Sequence, residues 1–160
     1  MTDQPEPTWL SPAAAQKLQD EYDHLTTAGR IEATERIAEA RSHGDIRENA
    51  DYDAAKNEQG FMEARIRKIR HLLENSEIRE AASTDEVSVG CVVTVKDQTG
   101  DEMEFFVATP ENAAPGFLMA SPSSPLGAAL LGAKPGEEVA YQAPGGTFTY
   151  EVVAIRPFEG

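Results

Sequence analysis

Residues 52–73 read YDAAKNEQGFMEARIRKIRHLL, and the spacing inside this run decides the fold of the first half of the chain. Tyr52, Ala55, Gln59, Met62, Ile66, Ile69 and Leu73 step by three and four alternately, a heptad seam with Gln59 as its one polar member. A seam of that kind needs a second helix to cover it. Upstream, Ser11-Pro12 is a helix start, with a hydroxyl to cap free N–H groups and proline in the first turn. Leu18, Tyr22 and Leu25 then form a stripe, which resumes past Gly29 as Ala33, Ile37 and Ala40, one residue out of phase. The slip predicts a kink or loosened turn near Ala28-Gly29. The link around Ser42-His43-Gly44 is short enough to force an antiparallel return. The second helix, from Glu48 to Ser76, would run on the order of 40 Å at 1.5 Å per residue. Such a hairpin buries one seam and leaves most of its surface open, as a probe does.

From Val87 onward the pattern changes to short alternating strands. They are expected at 87–95, 104–108, 117–120, 138–142 and 147–155, with Pro144-Gly145-Gly146 as the turn between the last two. Ser124-Pro125 opens a short helix that Gly132 closes. The whole is α+β: an N-terminal antiparallel two-helix coiled-coil hairpin over 1–80 and a small antiparallel sheet with one short helix over 81–160.

Composition narrows the functional classes. No run approaches the roughly 18 apolar residues of a membrane span, and the acidic, proline-containing Met1–Pro7 has neither a basic nor an apolar leader region. A cytoplasmic protein is expected. The single cysteine, Cys91, rules out an internal disulfide and a multi-cysteine zinc site and reads as a buried strand residue. A net charge of −14 argues against nucleic acid as a simple partner. The charge is unevenly spread, however: ten of the fourteen Lys and Arg lie in residues 30–80, with Arg65, Arg67, Lys68 and Arg70 close together. Those four are either a solvated helix face with pairs such as Glu63 to Arg67, or a basic strip for a polyanion.

Asp45, Glu48, Asp51 and Asp53 crowd the turn between the helices. Acids in a first helical turn suit the helix dipole and cap free N–H groups. Capping needs one carboxylate, and this turn has several. Asp45 and Glu48, three apart, are also suited to meet a divalent ion from one side of the tip. Two carboxylates alone hold Mg²⁺ weakly, since it prefers six oxygens and borrows water and phosphate, so the tip would be an incomplete metal site.

The run from Gly44 to Tyr52, continued by 54–59 and Arg65-Ile66, resembles the tip and second helix of the bacterial Gre transcript cleavage factors, the GreA type in particular. Residues 121–132, Pro144-Gly145-Gly146 and Tyr150-Glu151-Val152 resemble that family's C-terminal domain. The resemblance implies an FKBP-like second domain that docks on bacterial RNA polymerase, with Ser124, Pro125 and Leu126 in the docking stretch. It implies that the hairpin enters the polymerase's secondary channel and stimulates hydrolysis of backtracked nascent RNA by the polymerase itself, so that the chain is not the enzyme. Asp45 and Glu48 match the tip acids that share Mg²⁺ with polymerase aspartates. Arg41 and Lys56 fall where the family faces the RNA 3′ end, and Asn49 and Tyr52 where the tip is positioned. His43 reads as an exposed loop residue. The rival that the resemblance admits is a regulator that occupies the same channel without promoting cleavage. Because the hairpin seam can be satisfied within one chain, a monomer is expected, and light scattering that returned a dimer would contradict this.

Overall fold

The computed structural model describes residues 8–42 and 49–159. The chain separates into two units, one of residues 15–75 and one of residues 8–14 together with 76–159. The helical unit contains α1 (Pro12–His24) from residue 15 onward, a five-residue π turn (Leu25–Gly29), α2 (Arg30–Ser42) and α3 (Asn49–Asn75). All seven seam positions of α3 are buried or half-buried, with Ile66 and Ile69 fully enclosed. Facing them are Leu18, Tyr22 and Leu25, then Ala33, Ile37 and Ala40, also buried or half-buried.

The phase slip between those two sets falls on the π turn. A π turn inserts one extra residue into a helix, which restores the apolar stripe to the side facing α3. It also frees carbonyls from the regular ladder, and two threonines take them up: Thr26 Oγ1 donates to Tyr22 O at 2.8 Å and Thr27 Oγ1 to Asp23 O at 2.6 Å.

In the other unit the five-stranded sheet is built from β3 (Cys91–Lys96), β4 (Glu102–Val107), β5 (Leu118–Ala120), β6 (Glu138–Ala143) and β7 (Gly146–Pro157), in the order β5-β4-β3-β7-β6. Three of its four pairings are antiparallel and β4/β5 is parallel, because the intervening 108–117 crosses over before β5 begins. One face packs Val93, Val95, Phe105, Val107 and Val152 against Leu130 of the short helix α4 (Pro125–Leu130). Val153 is the extra residue of a bulge where β7 passes Thr94 and Val95.

The first strand of the sheet starts later than the alternation from Val87 suggests. Gly90 has φ +100°, and Cys91 N closes a turn onto Ser88 O at 3.2 Å, so 88–91 is a turn, Val87 bonds to Gly132 and Ala133 instead, and the ladder opens at Cys91. Cys91 itself is buried.

Residues 8–14, which the sequence reading assigns with the hairpin, pack against the sheet's second face. Trp9–Leu10 (β1) pairs in parallel with Glu77–Ile78 (β2). Trp9 meets Phe106 edge-on at 6.0 Å, and Phe106 stacks on Phe158 at 4.1 Å. The attachment is completed by Asn112, whose side chain is 2% exposed. Its Oδ1 accepts from Ser11 N at 2.8 Å, and its Nδ2 donates to Trp9 O at 3.0 Å and Thr109 Oγ1 at 3.1 Å.

Removing that amide leaves a buried N–H and a buried C=O without partners, each a penalty of about 1–3 kcal/mol. Asn112→Ala is therefore expected to lower the unfolding free energy by about 2–4 kcal/mol, read by denaturant titration of Trp9 fluorescence. An unchanged midpoint would show that the amide does not hold the strand.

Candidate functional site

The tip of the hairpin is built from the end of α2 and the start of α3. Asp45, Glu48 and His43 lie outside the described residues, and Asn49 is described only as the first backbone position of α3. What is described is the collar behind them. Tyr52, the first seam residue, is half-buried, and the Arg41 guanidinium lies over its ring, 5.6 Å from the centroid. Arg41 Nη2 is also 3.5 Å from Tyr52 Oη. Tyr52 is thus both core and platform, and it fixes the direction of a cation from the opposite helix. Lys56 sits one turn further along α3, exposed, with Nζ donating to Gln59 Oε1 at 3.3 Å.

Below the collar the helices are laced together by charge. Arg30 forks onto Glu63 at 2.9 and 3.1 Å, Arg65 onto Glu21 at 2.8 Å through both arms, and Arg36 pairs with Glu58. Residue numbers rise on one partner as they fall on the other, which is the signature of the antiparallel return. The α3 members of these pairs occupy the positions that flank the seam, where coiled coils place interhelical ion pairs. Glu63 reaches across the hairpin to Arg30 rather than along its own helix to Arg67 as the sequence suggests. Arg65 and Arg70 likewise turn inward, Arg70 over the Tyr22 ring at 5.9 Å, so of the two readings of these four cations the continuous basic strip is divided, and only Arg67 and Lys68 of the four point outward. These cross-pairs are not legible from α3 alone, because their partners lie across the hairpin on both sides of the phase slip, Glu21 before the π turn and Arg30 and Arg36 after it.

The hydrogen bond from Arg65 holds the Glu21 carboxyl below its ordinary range, and that from Arg30 does the same for Glu63. Among the described residues no group of three or more His, Cys, Asp or Glu is placed to hold a metal. The donors the sequence offers at the tip, the carboxylates of Asp45 and Glu48, fit Mg²⁺ in kind, being hard oxygen ligands, and fall short of its six in number.

In the sheet unit, Ser124 is committed to structure. Its Oγ accepts from Gly127 N at 3.1 Å and donates to Ser121 O at 2.6 Å, capping α4. A Cβ at Gly127 would stand 1.8 Å from Ser121 O, so only glycine allows this compact loop. Of the three expected docking residues, Pro125 is exposed, whereas Ser124 and Leu126 are half-buried and Leu126 packs on the core. No described helix is long and apolar enough to cross a membrane.

Two family models match the chain. Residues 8–78 match "Transcription elongation factor, N-terminal" and residues 82–157 match "Transcription elongation factor, GreA/GreB, C-term". The transcription elongation factor GreA of Caldanaerobacter subterraneus subsp. tengcongensis is 39% identical over 153 residues, covering 94% of this chain and 98% of its own. That of Thermotoga neapolitana is 44% identical over 142 residues, covering 88% and 91%. Among solved structures, GreA factor homolog 1 of Thermus thermophilus is 28% identical, covers 94% of this chain and 99% of its own, and superposes with a TM-score of 0.44.

The paired glutamates set a pH dependence for the hairpin. Both carboxyls are depressed in the folded state, so their stabilisation is fully present above the ordinary glutamate range and is lost as the pH falls through the depressed values. Thermal unfolding followed by helix signal is expected to show a falling midpoint over that acidic interval, and Glu21→Gln/Glu63→Gln is expected to have a lower midpoint at neutral pH and a flatter profile. The Glu21 side chain is 39% exposed and that of Glu63 33%, so solvent screens the pairs and the effect is modest. Parallel profiles for the two proteins would contradict it.

Proposed function

The chain belongs to the GreA/GreB family of transcription elongation factors, and from that premise we propose that it acts on bacterial RNA polymerase halted on backtracked RNA. It inserts the hairpin into the secondary channel and stimulates endonucleolytic cleavage of the RNA by the polymerase, in the cytoplasm. The observation that carries this reading is a laced two-helix arm whose α3 runs 27 residues, about 40 Å, with the acidic run lying in sequence between its two helices.

Each group has a stated task. Asp45 and Glu48 contribute carboxylate oxygens to a Mg²⁺ whose remaining ligands come from the polymerase and the RNA. When bound, that ion supplies Lewis-acid activation of water and offsets charge on the phosphodiester. Arg41, aimed by the Tyr52 ring, and Lys56 offer cations to the phosphates of the RNA 3′ end. Tyr52 ties the start of α3 to Arg41 at the end of α2, and Asn49 is assigned with it to positioning the tip. Ser124 and Leu126 shape the loop that presents Pro125 to the polymerase. The chain completes the polymerase's site and is not itself the nuclease.

A backtracked elongation complex with labelled, 3′-extruded RNA and Mg²⁺ tests this. Short 3′ fragments are expected to appear faster with the chain present, and the Asp45→Ala/Glu48→Ala variant is expected to bind the polymerase while failing to accelerate cleavage. If the wild type binds yet leaves the RNA intact or slows its cleavage, the chain is a channel-occupying regulator and the reading fails.

A further inference from the structure

With the seam and its flanking pairs assigned, the outward side of α3 is defined by what remains. Between the exposed acids Asp53 and Glu74, which bound it, every outward position is exposed and none carries a carboxylate. That is unusual in a chain with 28 acidic residues and a net charge of −14. The two glutamates in this interval, Glu58 and Glu63, are drawn to the seam by Arg36 and Arg30. Phe61 stands in the middle of the face, 77% exposed, the most exposed large apolar side chain among the described residues. Its neighbours do not shield it: Gly60 has no side chain, with nothing within 4 Å of where a Cβ would be, and Ala64 is one turn away. Arg67 and Lys68 follow on the same side, both exposed.

We propose that Phe61 is an apolar anchor that seats the hairpin against a protein wall, in an apolar recess with carboxylates on the side that Arg67 and Lys68 meet. A bulky ring left standing among small residues is what a pocket accepts, and aromatic and Arg side chains are the usual energetic centres of protein interfaces. Charge selects the wall's chemistry, since the acid-free outward face between Asp53 and Glu74 carries the cations Arg67 and Lys68 and complements an acidic surface. Single-stranded RNA fits less well, because one ring and two cations flanked by Glu58 and Glu63 make neither a stacking platform nor a basic groove. Resting on the function proposed above, the wall belongs to the polymerase. Phe61 lies 12 residues beyond Asn49, about 18 Å along the helix, so its recess sets how far the tip advances.

Phe61→Ser removes the ring at an exposed position, and unchanged helix content and unfolding midpoint establish that it folds. In the backtracked-complex assay this variant is expected to need roughly tenfold more protein for half-maximal cleavage and to reach the wild-type rate at saturation. Phe61→Leu is expected to restore most of the loss, and Lys68→Glu to shift the half-maximal concentration in the same direction as Phe61→Ser. Equal concentration dependence for Phe61→Ser and wild type would overturn the anchor while leaving the proposed function standing. So would a lower saturated rate at unchanged half-maximal concentration. Loss of binding to a labelled single-stranded RNA without polymerase would instead assign the ring to nucleic acid, and conversion of a wild-type dimer to a monomer would assign it to a second copy. Each result overturns the proposal. A wild-type chain that never engages the polymerase would overturn both readings.

Discussion

Two antiparallel helices can hide only one stripe of each, and in this chain the hidden stripe of α3 runs from Tyr52 to Leu73. The positions beside it are then close enough across the interface for ion pairs, and they hold Glu58, Glu63 and Arg65 opposite Arg36, Arg30 and Glu21. The π turn exists because the partner stripe is interrupted by one residue. Without the extra residue, Ala33, Ile37 and Ala40 would rotate off the seam, and the partners before and after the break would not both face α3. The remaining outward surface of the described helices is therefore free to meet something else.

The second unit solves a different problem. Its sheet has two faces, and α4 covers one. The other is closed by a segment from the start of the chain, brought in as β1 beside β2, with the Trp9 ring against Phe106. A two-residue strand has little holding power of its own. The buried amide of Asn112 supplies it, binding the backbone of Trp9 and Ser11. The tight Ser121–Gly127 loop on the opposite side is equally specified by backbone needs, so Ser124 acts there through the shape it imposes.

The readable parts of the sequence were those with a period. The three–four alternation in α3 gave its length to within a residue at each end, and the phase slip near Gly29 marked the π turn. The later strands were legible from alternation and from turn residues. What escaped had no period to read: β1 and β2 are two residues each, the parallel β4/β5 pairing depends on a crossover, and Asn112 is a lone polar residue 101 positions from the Ser11 it binds. Sequence spacing offers Glu63 the Arg67 of its own helix as one possible partner, whereas the fold gives it Arg30 in a bidentate geometry. At the tip the collar of Arg41, Tyr52 and Lys56 is described, while Asp45 and Glu48 lie outside the described residues. Their role therefore rests on residue chemistry and family membership.

The central claim is that the tip lends ligands to a metal site it cannot complete. The most direct test is the Mg²⁺ dependence of RNA cleavage in a backtracked complex, with and without the chain at saturation, beside a Mg²⁺ titration of the chain alone. The account predicts that the chain lowers the half-saturating Mg²⁺ concentration for cleavage, that Glu48→Gln reverses this, and that the isolated chain binds no Mg²⁺ in the same range. An unchanged Mg²⁺ requirement, or tight binding by the chain alone, would contradict it.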